Sequence, residues 1–464
     1  MRLWFVCARC DSRHVLKVVI VFNVLLVFYQ ILNLRSNNEK LTPCVVLLNA
    51  SNSFIKNEVN HFSDETGGGK KFETVQDEGV SIGSGSLSLP RITQNYIWWK
   101  TEKRNGYSVI REFVPSDSAN SVDFNSSVTL STQGTFEFLN HVEELCDRWK
   151  GPISLAIYAP GSDFMVSTNV VYYLRKCRDK CIREHVSWHF VYDNLYGPSL
   201  QNMTSPESFV NHTLLDCSLT FKDLLSKFKE PFRKENKLLY PINVARNVAR
   251  LSVRTKYLLA SDIELYPSIN IIPMFMNLLE NEKNDLVPHV KTNVPHVYVL
   301  PIFEVKAGFS APRTKAELLK MIKKGNAIFF HKWVCDACQN FPDREKWVQT
   351  LPYNNTLNVF RSTKRLANHN AWEPLYIGTN AEPLYEERLS WEGKRDKMSQ
   401  MYEMCLLNYD LLILDNAFLV HAPGIKHIDP KDEKRRWPFI KRNNAIYNTI
   451  ISKLKLRHGK NNKC

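Results

Sequence analysis

The chain has 464 residues, of which 44% are hydrophobic and 23% charged, with a formal net charge of +14. This length and apolar content suffice for one large domain or two ordinary ones. The basic residues are scattered, with one short cluster, KDEKRR, at Lys431 to Arg436; this excludes nucleic acid as the reading of the charge and leaves acidic substrates, anionic membranes and acidic glycans as favoured partners.

Residues 1–17 carry Arg2, Arg9, Arg13 and Lys17 against a single acid, Asp11. They precede an uncharged run, Val18 to Leu34, whose length, at about 1.5 Å of rise per residue, reaches the short limit for a spanning helix. The charge asymmetry predicts a cytosolic tail (1–17) and a signal-anchor transmembrane helix (18–34), with the rest of the chain lumenal. A cleaved signal peptide is the weaker alternative, because no small-x-small site follows closely. Residues 35–89, rich in Asn, Ser, Gly and charge, read as a flexible lumenal stem.

Five glycosylation acceptors, Asn49, Asn125, Asn202, Asn211 and Asn354, all follow the anchor, in keeping with a secretory location. So do nine of eleven cysteines, and an oxidising compartment would pair most of them. Cys177 and Cys181, one helical turn apart, are expected to face the same neighbouring segment. Cys335 and Cys338 lack the second cysteine pair that a structural zinc needs, so loop-clamping disulfides are expected there.

Residues 90–464 are expected to form the folded region. Pro152 to Ala159 reads as an apolar strand, Asp163 to Lys180 as a helix and Val186 to Asp193 as a second strand. Helical stretches around Phe221 to Phe228 and from Tyr240 to Thr255 lead to a further strand. Such alternation predicts an α/β fold with a mixed, mainly parallel sheet, whose ligands collect beyond the carboxyl ends of strands. In the Tyr240 helix, Pro241 suits the first turn. Val244, Val248 and Leu251 are expected to face the sheet, opposite a polar face of Asn243, Arg246, Asn247, Arg250 and Arg254. Arg246 and Asn247 are candidates for orienting a donor or pairing an acid; Tyr158, ending its strand, is a further candidate for donor contact.

The strand at Tyr257 to Ala260 stops at two carboxylates, Asp262 and Glu264. Acids just past a strand end can converge on a hard divalent cation that completes its shell with water and substrate phosphates. Taken alone, a solvated acidic turn is the commoner meaning of such a pair.

The wider pattern narrows the choice. YPINVARNVARLSVRTKYLLASDIELYPS, then VYVLPIFEVKAGFSAPRTKAELL, WEPLYIG and NYDLLILDNAFLVHAPG occur in that order and resemble glycosyltransferase family 49. The resemblance implies a GT-A type nucleotide-sugar-binding domain that inverts the anomeric centre. It implies a short acidic motif at Asp262, Ile263 and Glu264, with glutamate as a departure in its third place, and His421 as the third metal ligand. Mn²⁺ accepts carboxylate oxygen and imidazole nitrogen alike. Lys426 or His427 would assist the leaving diphosphate, and a general base would come from Asp396 first, then Glu392 or Glu304, with helix capping as the plain alternative for Asp396. The expected activity is transfer from a UDP-sugar, foremost UDP-glucuronic acid, to a glycan or glycoprotein acceptor by a Golgi type II membrane protein, as a monomer or a homo- or hetero-oligomer. Transfer of β-1,3-N-acetylglucosamine to lactosamine-type glycans and a catalytically silent glycan binder are the alternatives.

Overall fold

The computed structural model describes residues 100–198, 205–284, 294–353 and 355–464. The segments read as tail, anchor and stem (1–89), together with Asn202 and Asn354, lie outside them. Among the described residues no helix is long and apolar enough to cross a membrane.

Fourteen strands are described: β1 (Thr101–Arg104), β2 (Tyr107–Val114), β3 (Val128–Gly134), β4 (Ile153–Tyr158), β5 (Val186–Asp193), β6 (Tyr257–Ala260), β7 (Leu265–Pro267), β8 (His296–Leu300), β9 (Ile302–Val305), β10 (Ala327–Phe329), β11 (Val359–Thr363), β12 (Leu375–Gly378), β13 (Asp410–Leu414) and β14 (Leu419–His421). Ten build one sheet in the order β1-β2-β5-β4-β3-β6-β12-β8-β13-β11, and four build a smaller one, β10-β9-β14-β7. The α/β alternation holds where the sequence shows it. Helices α1 (His141–Trp149) and α2 (Asp163–Cys177) connect β3 to β4 and β4 to β5, and those strands with β6 form a parallel block.

The expectation of a mainly parallel sheet needs correction. Five of the nine neighbouring pairs in the large sheet are antiparallel, including β12 against both β6 and β8. Beyond β6 strand-helix-strand successions recur but no described one joins neighbouring parallel strands of the large sheet, and β12 enters the sheet reversed. The chain winds from β3 through β4 to β5 on one side, then places β6 on the other side of β3. This reversal leaves a crevice past the carboxyl ends of β3 and β6, the place where open α/β sheets bind ligands.

Helix α3 (Ile242–Leu251) packs across β3, β4, β5 and β6. Val244, Ala245, Val248 and Ala249 fill a core with Val109, Ala156, Tyr158 and Val191. Leu251, expected against the sheet, is 36% exposed; the helix ends there, and alanines supply the close contact instead. Arg254 lies beyond the helix end and is exposed, but the rest of the polar face is not solvated. Asn243, Arg246, Asn247 and Arg250 are all buried, covered by the segment 379–396. Arg250 donates to the carbonyls of Thr379, Glu382 and Pro383, and Asn243 to those of Glu386 and Asp396. A buried polar group costs stability unless bonded, and here each finds its partner in chain that has no regular structure of its own.

Among the described residues four disulfides join Cys146–Cys181, Cys177–Cys217, Cys335–Cys338 and Cys405–Cys464. Cys177 and Cys181 thus reach different segments, against expectation. The helix stops at Cys177, Arg178 is extended, and the Asp179 side chain accepts from the Cys181 N–H to start a separate short helix, so the two cysteines do not share a face. The ninth cysteine after the anchor, Cys44, lies outside the described residues. The Cys405–Cys464 bridge fastens helix α4 (Pro430–His458), through the residues that follow it, to the helix Met398–Leu406. Replacing Cys464 with serine should lower unfolding stability by about 2–4 kcal/mol, read as an earlier midpoint in urea with the far-ultraviolet spectrum unchanged.

Candidate active site

A cleft of about 1350 Å³ opens at the crevice between β3 and β6 and is lined by Gln133, Arg246, Asp262, Glu264, His331, Glu373, Asp396, Lys397, His421 and Lys426, among others. Two sheets meet in it. The large sheet delivers Gln133 from β3 and Asp262 just past β6, while the small sheet delivers His421. In that sheet β14 pairs antiparallel with β7, setting His421 opposite Leu265, and the Ala422 N–H donates to the Glu264 carbonyl at 2.8 Å. Residues far apart in the chain are thereby brought together: His421 Nε2 lies 3.8 Å from a Glu264 carboxylate oxygen.

His421 Nδ1 is 2.7 Å from the Ala422 carbonyl oxygen, which can only accept, so this nitrogen carries the proton. Nε2 is left with its lone pair, buried and without a hydrogen-bond partner among the described residues. The ring is stacked on Phe330, which stacks in turn on His331. A metal-binding histidine is commonly held in this way, with one nitrogen fixed by a carbonyl and the other free to ligate. Glu264 and His421 therefore fit as two ligands.

Asp262 is arranged differently. Its carboxylate accepts from Arg246 at 2.7 Å and from Gln133 at 3.2 Å, and lies 3.3 Å from the Lys397 ammonium. Burial would raise its pKa, but the charges and hydrogen bonds of Arg246 and Lys397 hold the carboxyl well below the usual carboxylate range. Arg246 also pairs with Asp396 through its other terminal nitrogen and lies over the Tyr385 ring, 5.4 Å from its centre. Lys397 and Arg246 likewise overcome burial to depress the Asp396 carboxyl. Among the described residues no three acidic, histidine or cysteine side chains are already grouped as a metal site.

The remaining candidates divide by position. Lys426 lines the cleft near Glu264, whereas Tyr158 and Asn247 do not line it. The Tyr158 hydroxyl donates to Asp193, and the Asn247 amide both donates to and accepts from the Tyr385 backbone, with a further bond to Glu387. Both residues are spent on packing. Glu392 accepts from the Tyr240 N–H at 3.1 Å, near the entrance to α3. Glu304 is buried on β9 and accepts from the backbone of His331 and Lys426, at 3.2 and 3.4 Å, fastening two loops that border the cleft. Neither Glu392 nor Glu304 is among the residues that line the cleft. Asp396 lines it but is committed to Arg246.

The turn carrying Asp396 is held from behind. Lys394 and Arg395 both adopt positive φ, at 58° and 59°, a conformation that ordinary residues rarely take. Asn443 of α4 bonds to the Ser390 and Lys394 carbonyls, and a Cβ on Gly393 would fall 2.1 Å from the Asn443 side chain. Arg436, part of the basic cluster, donates to the carbonyls of Trp391 and Glu392. Sequence reasoning had no signal for these supports, nor for Gln133, an unexceptional polar residue within a strand.

Replacing Arg246 with alanine should destabilise the fold by about 3–5 kcal/mol, because two carboxylates then lose their buried partner. Lysine should not restore it, since one ammonium cannot span both acids. Both folded pKa values are depressed, so the ion-pair contribution is full above about pH 4 and is lost as pH falls through the folded values. The stability gap between wild type and Arg246→Ala, measured by urea unfolding, should narrow only in acid.

The family described as "Glycosyl-transferase for dystroglycan" matches residues 127–459. Beta-1,4-glucuronyltransferase 1 of Danio rerio is 29% identical over 339 residues, covering 71% of this chain and 74% of its own length. The Homo sapiens protein of the same name is 25% identical, covering 72% and 76%. Xylosyl- and glucuronyltransferase LARGE2s of Gallus gallus is 26% identical over 306 residues, 66% of this chain but 33% of that protein. With more than half of its length matched, and with the sheets, crevice and paired acid and imidazole described above, the chain belongs to glycosyltransferase family 49.

Proposed function

We propose that this glycosyltransferase transfers glucuronic acid from UDP-glucuronic acid to a glycan acceptor, with inversion at the anomeric carbon and with a divalent metal, Mn²⁺ first. The observation that carries the metal-assisted reading is the unpartnered Nε2 of His421 beside Glu264, inside a cleft at the sheet's topological switch. The donor assignment is supported by what the relatives are named for.

A metal held by Glu264 and His421, with Asp262 nearby, would supply Lewis-acid stabilisation of the negative charge left on the diphosphate. The protein's own cations serve the same end. Arg246, Lys397 and Lys426 all line the cleft, and fixed positive charge in a partly dry site acts more strongly than in water. Arg246 meanwhile keeps Asp262 ionised and oriented. The four disulfides and the exposed acceptors Asn125 and Asn211 support a secretory lumen, with Golgi residence and the N-terminal anchor as parts of the same proposal.

One observation favours a silent glycan binder instead: the Asp262 carboxylate is already occupied by Arg246 and Lys397. A panel of nucleotide sugars, assayed with and without Mn²⁺, separates the two. UDP-glucuronic acid should be consumed only with metal, and His421→Ala and Asp262→Ala should each lower the rate by about a hundredfold or more while remaining folded by circular dichroism. Turnover of none of the donors by folded wild-type protein would overturn the enzymatic proposal.

A further inference from the structure

Glu373 stands two residues before β12, within the cleft lining, and the activity described so far gives it no role. Its backbone is pinned on both sides: the N–H donates to the Cys338 carbonyl at 2.9 Å, and its own carbonyl accepts from Gln339 at 3.2 Å. The loop closed by Cys335–Cys338 thus holds Glu373 in place. Because β12 runs antiparallel to β6, pairing Ile377 with Leu259 and Gly378 with Leu258, continuing that register toward the start of β12 brings residue 373 level with residue 263. The amino-terminal approach to this one strand therefore lies at the edge where the parallel strands end.

The other acids lining the cleft are held by the protein or assigned to the metal. Asp262 and Asp396 are bound by Arg246, and Glu264 is taken with His421 as a metal ligand in the reading above. Asp429 caps helix α4 by accepting from Lys431, Asp432 accepts from Arg435, and Glu433 is held by Lys394. The Glu373 carboxylate has no hydrogen bond or ion pair among the described residues. We propose that Glu373 is the general base that takes the proton from the acceptor hydroxyl.

In that step the acceptor oxygen bonds to the anomeric carbon while the bond from that carbon to the diphosphate oxygen breaks. The bonding pair leaves with the nucleoside diphosphate. The hydroxyl proton passes to Glu373 and from there to solvent. The charged and titratable groups around Glu373 are Lys397, Asp396, Arg246, Arg365 and Tyr447. Burial and Asp396 raise its pKa, while Lys397, Arg246 and Arg365 oppose them, and the balance leaves the carboxyl at about 7, where a base can accept a proton and release it again.

This inference rests on the inverting transferase reading, and the test separates the two. With the full chain, UDP-glucuronic acid, Mn²⁺ and an acceptor glycan, Glu373→Gln should lower kcat about a hundredfold or more, with donor affinity by calorimetry and thermal stability unchanged. Glu373→Asp should recover part of the rate. Wild-type kcat should fall as pH drops through about 7, and a carboxyl band titrating there in the infrared spectrum should vanish in Glu373→Gln. An active wild type beside a Glu373→Gln variant within about threefold of it would overturn the assignment of the base alone. Loss of donor affinity or of fold in step with rate would overturn it too, making the residue structural. A wild type inactive with every donor would sink the transferase reading and this inference with it.

Discussion

The Arg246 guanidinium joins three parts of the chain. It projects from a helix packed on the large sheet, touches Asp262 at the end of the fourth parallel strand, and holds the Asp396 carboxylate at the front of a turn that Asn443 and Arg436 support from behind. Two carboxylates facing one cleft repel each other unless a cation lies between them. A guanidinium suits that place because it is always charged and offers donors along two edges. Remove it and both the floor and one wall of the cleft lose their definition.

The neighbouring residues of the same helix extend this principle. Asn243, Asn247 and Arg250 bind backbone carbonyls of a segment that forms neither helix nor strand. The face that sequence periodicity marks as polar thus takes the place of a sheet edge, satisfying the polar groups of irregular chain so that it can be buried. A helix with an apolar and a polar side reads identically whether its polar side meets solvent or protein. Periodicity gives amphipathicity and does not say what covers it.

The same limit explains which parts of the site were legible. Asp262 and Glu264 stand just past an apolar run, a position that draws attention because buried strands leave their last residues at a functional edge; His421 also ends such a run, but only the family resemblance singles it out. Glu373 precedes its strand, and under a parallel-sheet assumption that end points away from the ligand. The antiparallel insertion of β12 cancels the assumption, and nothing local in WEPLYIG announces the reversal. Glu304 and Glu392 are acids in suggestive places whose oxygens accept from backbone N–H groups. Strands of alternating units were readable from hydrophobic runs alone, whereas strand direction beyond β6 depends on long-range pairing that no short window contains.

The contact between Gly393 and Asn443 gives the last helix a place in the catalytic architecture. With no room for even a methyl group between them, the turn bearing Asp396 and Lys397 takes its shape from a helix remote in sequence. A soluble fragment prepared for enzymology therefore has to keep the chain through Cys464, since trimming that helix as a dispensable tail would dismantle one side of the cavity while leaving most of the sheet intact.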